Sequence, residues 1–320
     1  MEQLEFRPLL TDDIADVREL LNLANAFDGE QMVMQVDEVA DEFAPPWVRL
    51  ASDTLGAYLD STLVGVSWTY YLPSDQRQER CYILGTIHPA YRSRGIGHQL
   101  MSWAVIHACS LLKSSGTTLP KYIRAEALEQ SRDAAHLFAD LGLSPIRYFD
   151  TLVRPLTDIP AVSHIAGVSI VPWPVHRSSE IRVVKNASFE HHWGSTPVSD
   201  EGWLQEVEGF GVRTDLSFVA VDSSDQIVGL CLASRYEADD ELTGRRDGWI
   251  DLVGTLDEWR RRGVAGALIT TALHLYKEAG LTHAALVVDS DSPTGANRLY
   301  ASMGFEPLKR KVTYQAVVTI

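Results

Sequence analysis

The chain has 320 residues, 45% of them hydrophobic and 22% charged, and carries a formal net charge of −15. That length suits two cores of about 150 residues each rather than one. The acidic balance argues against a nucleic-acid partner, whose phosphates call for a positive surface. No run approaches the roughly 20 apolar residues of a membrane helix, so no membrane partner is expected. The three cysteines, Cys81, Cys109 and Cys231, form no CxxC pair, so neither a disulfide scaffold nor a metal site is expected. The N-terminus is acidic and lacks an apolar signal core, which points to a reduced cytoplasm. The negative charge is compatible with a cationic substrate such as an amine, and equally with a surface that is acidic for solubility alone.

In chain order, the first clear element is a hairpin over residues 54–68, TLGAYLDSTLVGVSW. A β-branched run from Tyr82 to Ile87 reads as a buried strand, followed by the turn His88-Pro89-Ala90. Next comes a helix with Leu100, Trp103, Ala104, His107 and Leu111 on one stripe. Then KYIRAEALEQSRDAAHLFADLGL gives a strand, a helix and a Gly-terminated turn. Residues 154–167, RPLTDIPAVSHIAG, carry two prolines and little periodicity and read as a linker. The order then repeats. A hairpin spans 216–233, a strand Trp249 to Thr255, and a turn Leu256-Asp257-Glu258. A helix follows with Leu268, Thr271, Ala272 and Leu275 on one stripe, stopping at Gly280. HAALVVDSDSPTGANRLYASMGF closes the second half. The predicted fold class is therefore a mixed α/β (α+β layer) architecture in two tandem domains, 1–157 and 166–320, each a mostly antiparallel sheet flanked by helices. A chain duplicated in this way can stand as a monomer that is its own pseudo-dimer.

The repeat is sharpest at the two strand-to-helix turns, 168 residues apart from Arg92 to Arg260. Tyr91-Arg92-Ser93-Arg94-Gly95-Ile96-Gly97-His98 aligns without a gap on Trp259-Arg260-Arg261-Arg262-Gly263-Val264-Ala265-Gly266. A strand feeding a helix through such a turn leaves unpaired N–H groups at the helix start, and the helix dipole adds about half a positive charge there. Phosphate is a common occupant of that geometry. The glycines allow close backbone approach, and the arginines add charge and bidentate donors around a pyrophosphate. The pattern is neither the dinucleotide fingerprint nor a Walker loop, since no Gly-Lys-Ser/Thr is present.

These loops resemble the acetyl-CoA pyrophosphate loop of the GNAT family of N-acetyltransferases, Arg/Gln-x-x-Gly-x-Gly/Ala. The stretch from Ser292 to Phe305 is similar to the family's second signature, with Ser292 where that signature carries Asn. The resemblance covers nearly the whole chain as two domains, and the tandem arrangement is similar to the mycothiol synthase group, which acetylates a cysteinyl amine of a pseudodisaccharide thiol. It implies acetyl-CoA as cosubstrate, direct transfer to an amine, and a phenol at Tyr300 as general acid to the leaving thiolate. It also implies that backbone N–H groups of Val253, Gly254 and Thr255, with Ile87 in the corresponding place of the first half, polarise the thioester oxygen.

For the base, the strand from Trp249 to Thr255 holds one carboxylate, Asp251, inside an apolar run. Such a group is costly unless it is paired or functional, so it reads either as base or as a structural carboxylate. Strict alternation places Asp251 and Thr255 on one face. The first half has Phe138 and Ile83 where the second has Tyr300 and Asp251. It is therefore expected to be catalytically silent, its loop either binding a CoA-like ligand or serving the fold. His191, His192 and Trp193, in the segment after the first helix of the second half, are candidate contacts to a small-molecule amine, with packing as the other reading. The resulting expectation is an acetyl-CoA-dependent N-acetyltransferase. Its acceptor would be a general small amine, a mycothiol-type cysteinyl amine or an aminoglycoside. The reading from another class is an acyl-CoA sensor without turnover.

Overall fold

The computed structural model describes residues 3–292 and 294–319; Pro293 of the second signature lies outside them. The first half runs β1 (Leu4–Arg7), α1 (Ile14–Asp28), α2 (Val36–Glu42), α3 (Leu50–Asp53), β2 (Thr54–Leu59), β3 (Thr62–Leu72), β4 (Glu79–Ile87), α4 (Ile96–Ser114), β5 (Lys121–Leu128), α5 (Arg132–Asp140) and β6 (Ser144–Pro155). The second half runs β7 (Val168–Pro172), α6 (Ser178–Ser188), α7 (Asp200–Glu208), β8 (Phe218–Asp222), β9 (Ile227–Arg235), α8 (Asp240–Thr243), β10 (Asp247–Thr255), α9 (Val264–Glu278), β11 (His283–Asp289), α10 (Ala296–Ser302) and β12 (Glu306–Val317). Both predicted hairpins are present. The first turns on Asp60 and Ser61 with φ 47° and 69°, the left-handed pair that matches strand twist.

By packing, the chain forms two units, residues 1–148 with 311–320, and residues 149–310. The sequence split at 157 and 166 follows the duplication, whereas the packed units depart from chain order at the last strand of each half. In the first unit, β5 pairs antiparallel with β12 from Leu128 opposite Lys311 to Tyr122 opposite Val317. In the second, β11 pairs antiparallel with β6 from His283 opposite Pro155 to Asp289 opposite Phe149. Each half thus completes its sheet with a strand from the other half of the sequence. Within each unit one pair is parallel, β4 with β5 and β10 with β11, and the pairs formed by the strands before it are antiparallel.

Each sheet is covered on both faces. In the second unit, α9 and α10 bury Ile250, Val264, Leu268, Ala272 and Leu286 in one cluster. On the other face α6 and α7 bury Ile181, Val184, Trp203 and Leu230. The first unit repeats this with α4 and α5 around Cys81, Ala104 and Ile123, and α1 and α2 around Val17, Val39 and Val66. The predicted α4 stripe is rotated. Leu100, Met101, Ala104, Ala108 and Leu112 face the core, and the two alanines permit close approach to the sheet. Trp103 and His107 stack on each other, 5.4 Å apart, because His107 turns to the buried Asp53 carboxylate at 2.8 Å.

The segment read as a linker is packed along α9. Lys277 donates to the Thr157 carbonyl at 3.1 Å, His274 bonds the Pro160 carbonyl at 2.9 Å, and Ile159 and Ile165 join the core cluster. That cover accounts for Thr271 and Leu275, predicted on the core stripe, lying only half-buried under the segment while Leu268 and Ala272 are fully buried.

The first unit also buries an ion pair. Lys121 bonds Glu79, and Tyr71, Ser115 and Thr117 donate to the same carboxylate, the last two at 2.6 Å. Burial pushes the Glu79 carboxyl up, but the four donors together outweigh it and hold it at about 2.

Candidate active site

The two loops share one backbone. Arg92 and Arg260 are extended, with φ −66° in both. Ser93 and Arg261 are left-handed at φ 58° and 60°, and Gly95 and Gly263 at φ 81° and 88°. The helix then starts at Ile96 or Val264 with no side-chain cap. Its first intrahelical bonds are Gln99 N–H to Gly95 and Ala267 N–H to Gly263. The amides of Ile96, Gly97 and His98, and of Val264, Ala265 and Gly266, therefore have no intrahelical partner. Successive N–H groups in such turns form an anion-binding concavity, so the residues present fit a pyrophosphate.

Within the protein itself, backbone conformation is what calls for glycine at these two places. A Cβ at Gly95 would meet open space, and at Gly263 only the tip of Ile165 at 3.0 Å. The left-handed φ, 81° and 88°, disfavours other residues there.

The three loop positions, Arg92-Ser93-Arg94 and Arg260-Arg261-Arg262, take the same three places in both copies. The first of each set turns inward. Arg92 holds the Asp28 carboxylate bidentately at 2.5 and 2.8 Å and the Ile87 carbonyl at 3.1 Å. Arg260 holds the Ser188 carbonyl at 2.8 Å, the Thr255 carbonyl at 3.4 Å and Asp257 at 2.8 Å. Each ties the loop to the last residue of the first long helix of its unit, α1 or α6. The middle residue, Ser93 or Arg261, is exposed at the left-handed corner. The third stacks on the aromatic before the loop, Arg94 on Tyr91 at 5.0 Å and Arg262 on Trp259 at 4.9 Å. Arg92 and Arg260 thus brace the loop, whereas Arg261 is exposed at its corner and Arg262 lies over the Trp259 ring.

The parallel pairing stops early in both units. β10 and β11 pair only from Asp247 opposite His283 to Ile250 opposite Leu286, although both strands continue. β4 and β5 pair only from Glu79 to Tyr82. Past Ile250 one side of β10 therefore lacks its ladder partner. The Leu256 N–H bonds the Val228 carbonyl on β9, so alternation turns the Gly254 amide to β9 and leaves those of Val253 and Thr255 on the gap side. Ile87 takes the equivalent place in β4, since His88 N–H bonds Val64.

Asp251 sits on a β-bulge. Ile250 faces Ala233 and Leu252 faces Leu232, so Asp251 is the extra residue. This breaks the alternation assumed from sequence. Val253, with Thr255 two residues on, belongs to the α9 face, whereas Asp251 turns to the α7 face, where Ser234 Oγ donates to its Oδ2. The two do not share a face. Crowding by surrounding protein pushes the Asp251 carboxyl up to about 6; the Ser234 hydrogen bond lowers it and the nearby Glu206 charge raises it. The side chain still opens to solvent, as a proton acceptor in a cleft must.

Tyr300 lies on α10, buried, with Phe305 edge-on at 5.9 Å. Burial raises its pKa, so the phenol holds its proton at neutral pH. Tyr300 and Cys231 belong to the cluster on the α9–α10 face, whereas Asp251 turns to the α7 face, so the two groups approach the β9–β10 strands from opposite sides of the sheet. In the first unit Phe138 and Ile83 are both in the core, and β4 pairs with β3 in unbroken register without a bulge. A cavity of about 370 Å³ between residues 162–170 and α9 borders the loop at Val264 but contains neither Asp251 nor Tyr300.

The segment after α6 approaches the site unevenly. Trp193 packs on Phe149 at 6.1 Å, and Phe149 stands opposite Asp289 at the open end of β11. His191 lies 3.7 Å from Asp257 beside the loop, and His192 bonds the Trp193 carbonyl at 3.2 Å. Of the three, Trp193 reaches the end of the gap. Sequence reading missed Ser234 and Asn297. Asn297 donates to the carbonyls of Asp289 and Ser290 at 3.0 and 2.9 Å, fixing α10 to the end of β11. Ser292, at the signature's Asn position, bonds Thr294 instead, at 2.9 Å.

A duplicated α/β unit with a split parallel pair, an uncapped helix start and a left-handed arginine loop defines an acyl-CoA-dependent transferase. The model of the acetyltransferase (GNAT) family matches residues 17–142 and again 180–305, and the chain belongs to that family. It is an N-acetyltransferase, and acetyl-CoA is its acyl donor. A mycothiol acetyltransferase of Tsukamurella paurometabola is 27% identical over 242 residues, 71% of this chain and 75% of that one. Two solved structures share the fold. A GCN5-related N-acetyltransferase from Sphaerobacter thermophilus has TM-score 0.77 and 22% identity, covering 99% of this chain and 96% of that one. A tandem GNAT protein from the clavulanic acid biosynthesis pathway has TM-score 0.73 and 19% identity, covering 99% of both.

Proposed function

We propose that the chain moves the acetyl group of acetyl-CoA to a primary amine of a small molecule, with the chemistry confined to the second unit. One observation carries this reading: the bulge that presents Asp251 on one face beside the gap where β10 leaves β11, with Tyr300 in the core on the other face of the same sheet. Acetyl-CoA supplies the activated acyl group. The amides of Val264, Ala265 and Gly266, with Arg261 and Arg262, hold its phosphates. The Val253 and Thr255 amides stabilise charge on the acyl oxygen. Asp251 takes the proton of the amine and Tyr300 gives one to the leaving thiolate. The first unit keeps the loop but has neither group, so it binds the same nucleotide without turnover. Three free cysteines fit a cytoplasmic enzyme.

Among acceptors, the cysteinyl amine of a mycothiol-type thiol is favoured by the 27% identity to a mycothiol acetyltransferase. The test is incubation with acetyl-CoA and, separately, a cysteinyl aminosugar thiol, an aminoglycoside and a polyamine, with products read by mass spectrometry. The cysteinyl amine is expected to be acetylated fastest. Acetylation of the aminoglycoside alone would replace that acceptor, and no acetylated amine from any of the three would count against amine transfer. Asp251 works only when ionised. With its carboxyl at about 6, kcat at saturating amine is expected to fall as pH drops through that value, while kcat/KM carries the amine's own ionisation in addition. A profile without that acid limb would remove Asp251 from the base role.

A further inference from the structure

We propose that Ser234 is the positioning residue of this site: from the buried side of β9 it fixes one oxygen of Asp251 and leaves the other to meet the amine. The inference rests on the reading of Asp251 as base. Ser234 is buried, 1% exposed, and its hydroxyl donates to Asp251 Oδ2. A hydroxyl has one proton, so the bond commits it and fixes the carboxylate's rotation, with Oδ1 left free of that bond.

The bulge makes this contact possible. In regular pairing Ser234 faces Trp249, and a residue two places along β10 would be carried beyond its reach. Because Asp251 is the extra residue, Leu252 takes the place opposite Leu232 and Asp251 stays within reach of Ser234 on the same face. The first unit shows the alternative. Counting from Gly65 and Gly229, which face Ile87 and Thr255, the place of Ser234 is taken by Tyr70, and Ile83 pairs with Thr69 without a bulge. The carboxylate and the bulge are present together in one copy and absent together from the other, where a bulky phenol, Tyr70, stands in place of the small Ser234 hydroxyl.

The groups within electrostatic reach of Asp251 come from three elements, Ser234 and Glu206 on its own face and Cys231 and Tyr276 across the sheet. From β9 come Ser234 and Cys231, the latter a thiol that burial keeps protonated. From α7 comes Glu206, itself paired with Lys185 of α6 at 3.1 Å. From α9 comes Tyr276, whose hydroxyl is committed to the Trp249 carbonyl at 2.7 Å. Ser234 is the one neighbour among these that donates a hydrogen bond to the carboxylate, and so the one that offsets crowding and the Glu206 charge. Its loss leaves the charged form less favoured.

The test is a carbon-13 NMR titration of the Asp251 carboxyl in the full chain, assigned with Asp251→Asn. The wild-type midpoint is expected near 6. Ser234→Ala is expected to raise it by about one pH unit, and Ser234→Thr, which keeps the hydroxyl, to restore it. An unchanged midpoint in Ser234→Ala overturns the proposal, as does a wild-type midpoint near the ordinary carboxylate value of about 4. The underlying reading fails separately. If the midpoint moves as expected but Asp251→Asn acetylates at the wild-type rate, Ser234 positions a carboxylate that is not the base.

Discussion

Tyr300→Phe is expected to slow acetyl transfer about 100- to 10,000-fold, the range that one positioned general acid contributes. The change removes a single oxygen from a ring held by the α10 core and by Phe305, so packing is preserved and the deficit falls on chemistry. Burial has already raised the phenol's pKa, which keeps the proton in place until a thiolate develops beside it. The loss should appear in kcat, with KM for acetyl-CoA nearly constant, because an interaction made only in the transition state lowers kcat and kcat/KM together. Steady-state product formation by mass spectrometry reads it. Full activity in Tyr300→Phe would move the acid role elsewhere.

Lys121→Met is expected to cost about 3–5 kcal/mol of folding stability at neutral pH, the usual price of stranding one partner of a buried ion pair. Lys121 and Glu79 are 2% and 1% exposed, so solvent screens neither. Methionine keeps the volume of the stem, and the deficit then reports the unpaired carboxylate rather than a void. The pH dependence has a definite sign. The folded-state pKa of Glu79 is lowered from an ordinary 4.5 to about 2. Its stabilisation is fully present above pH 4.5 and is lost as pH falls through about 2. In Lys121→Met the carboxyl loses the largest of the four donors that hold its pKa down, so its pKa rises and acid costs the variant less than the wild type. The gap between them, measured by denaturant unfolding, should therefore narrow on acidification. A gap independent of pH would show that the ion pair is not the source.

Much of this molecule is legible in its sequence, because the signals are local. Both hairpins, the strands around Tyr82 and Trp249, the helix starts after Gly95 and Gly263 and the stop at Gly280 follow from periodicity and from residues that tolerate positive φ. The duplication is legible because the loops align without a gap. What was not legible depends on partners far away in the chain. The bulge at Asp251 exists only relative to β9, and Ser234 becomes visible only once that register is known. Arg92 and Arg260 look like phosphate ligands beside their neighbours, yet Asp28 and the Ser188 carbonyl draw them inward. The exchange of β6 and β12 is a choice between two similar edges, β5 and β11, which no local pattern distinguishes. His107 leaves the expected core stripe because Asp53, 54 residues earlier, needs a partner.

The central claim is that, of two loops with one backbone, only the one in the second unit serves a working site. Gly95 and Gly263 have φ 81° and 88°, so Glu at either place suffers a similar backbone strain, and each puts a carboxylate where the phosphates would lie. Acetyl transfer by Gly95→Glu and Gly263→Glu should be measured side by side, with circular dichroism confirming that both remain folded. Turnover is predicted to persist in Gly95→Glu and to be lost in Gly263→Glu. Loss in folded Gly95→Glu, or persistence in Gly263→Glu, would contradict chemistry confined to the second unit.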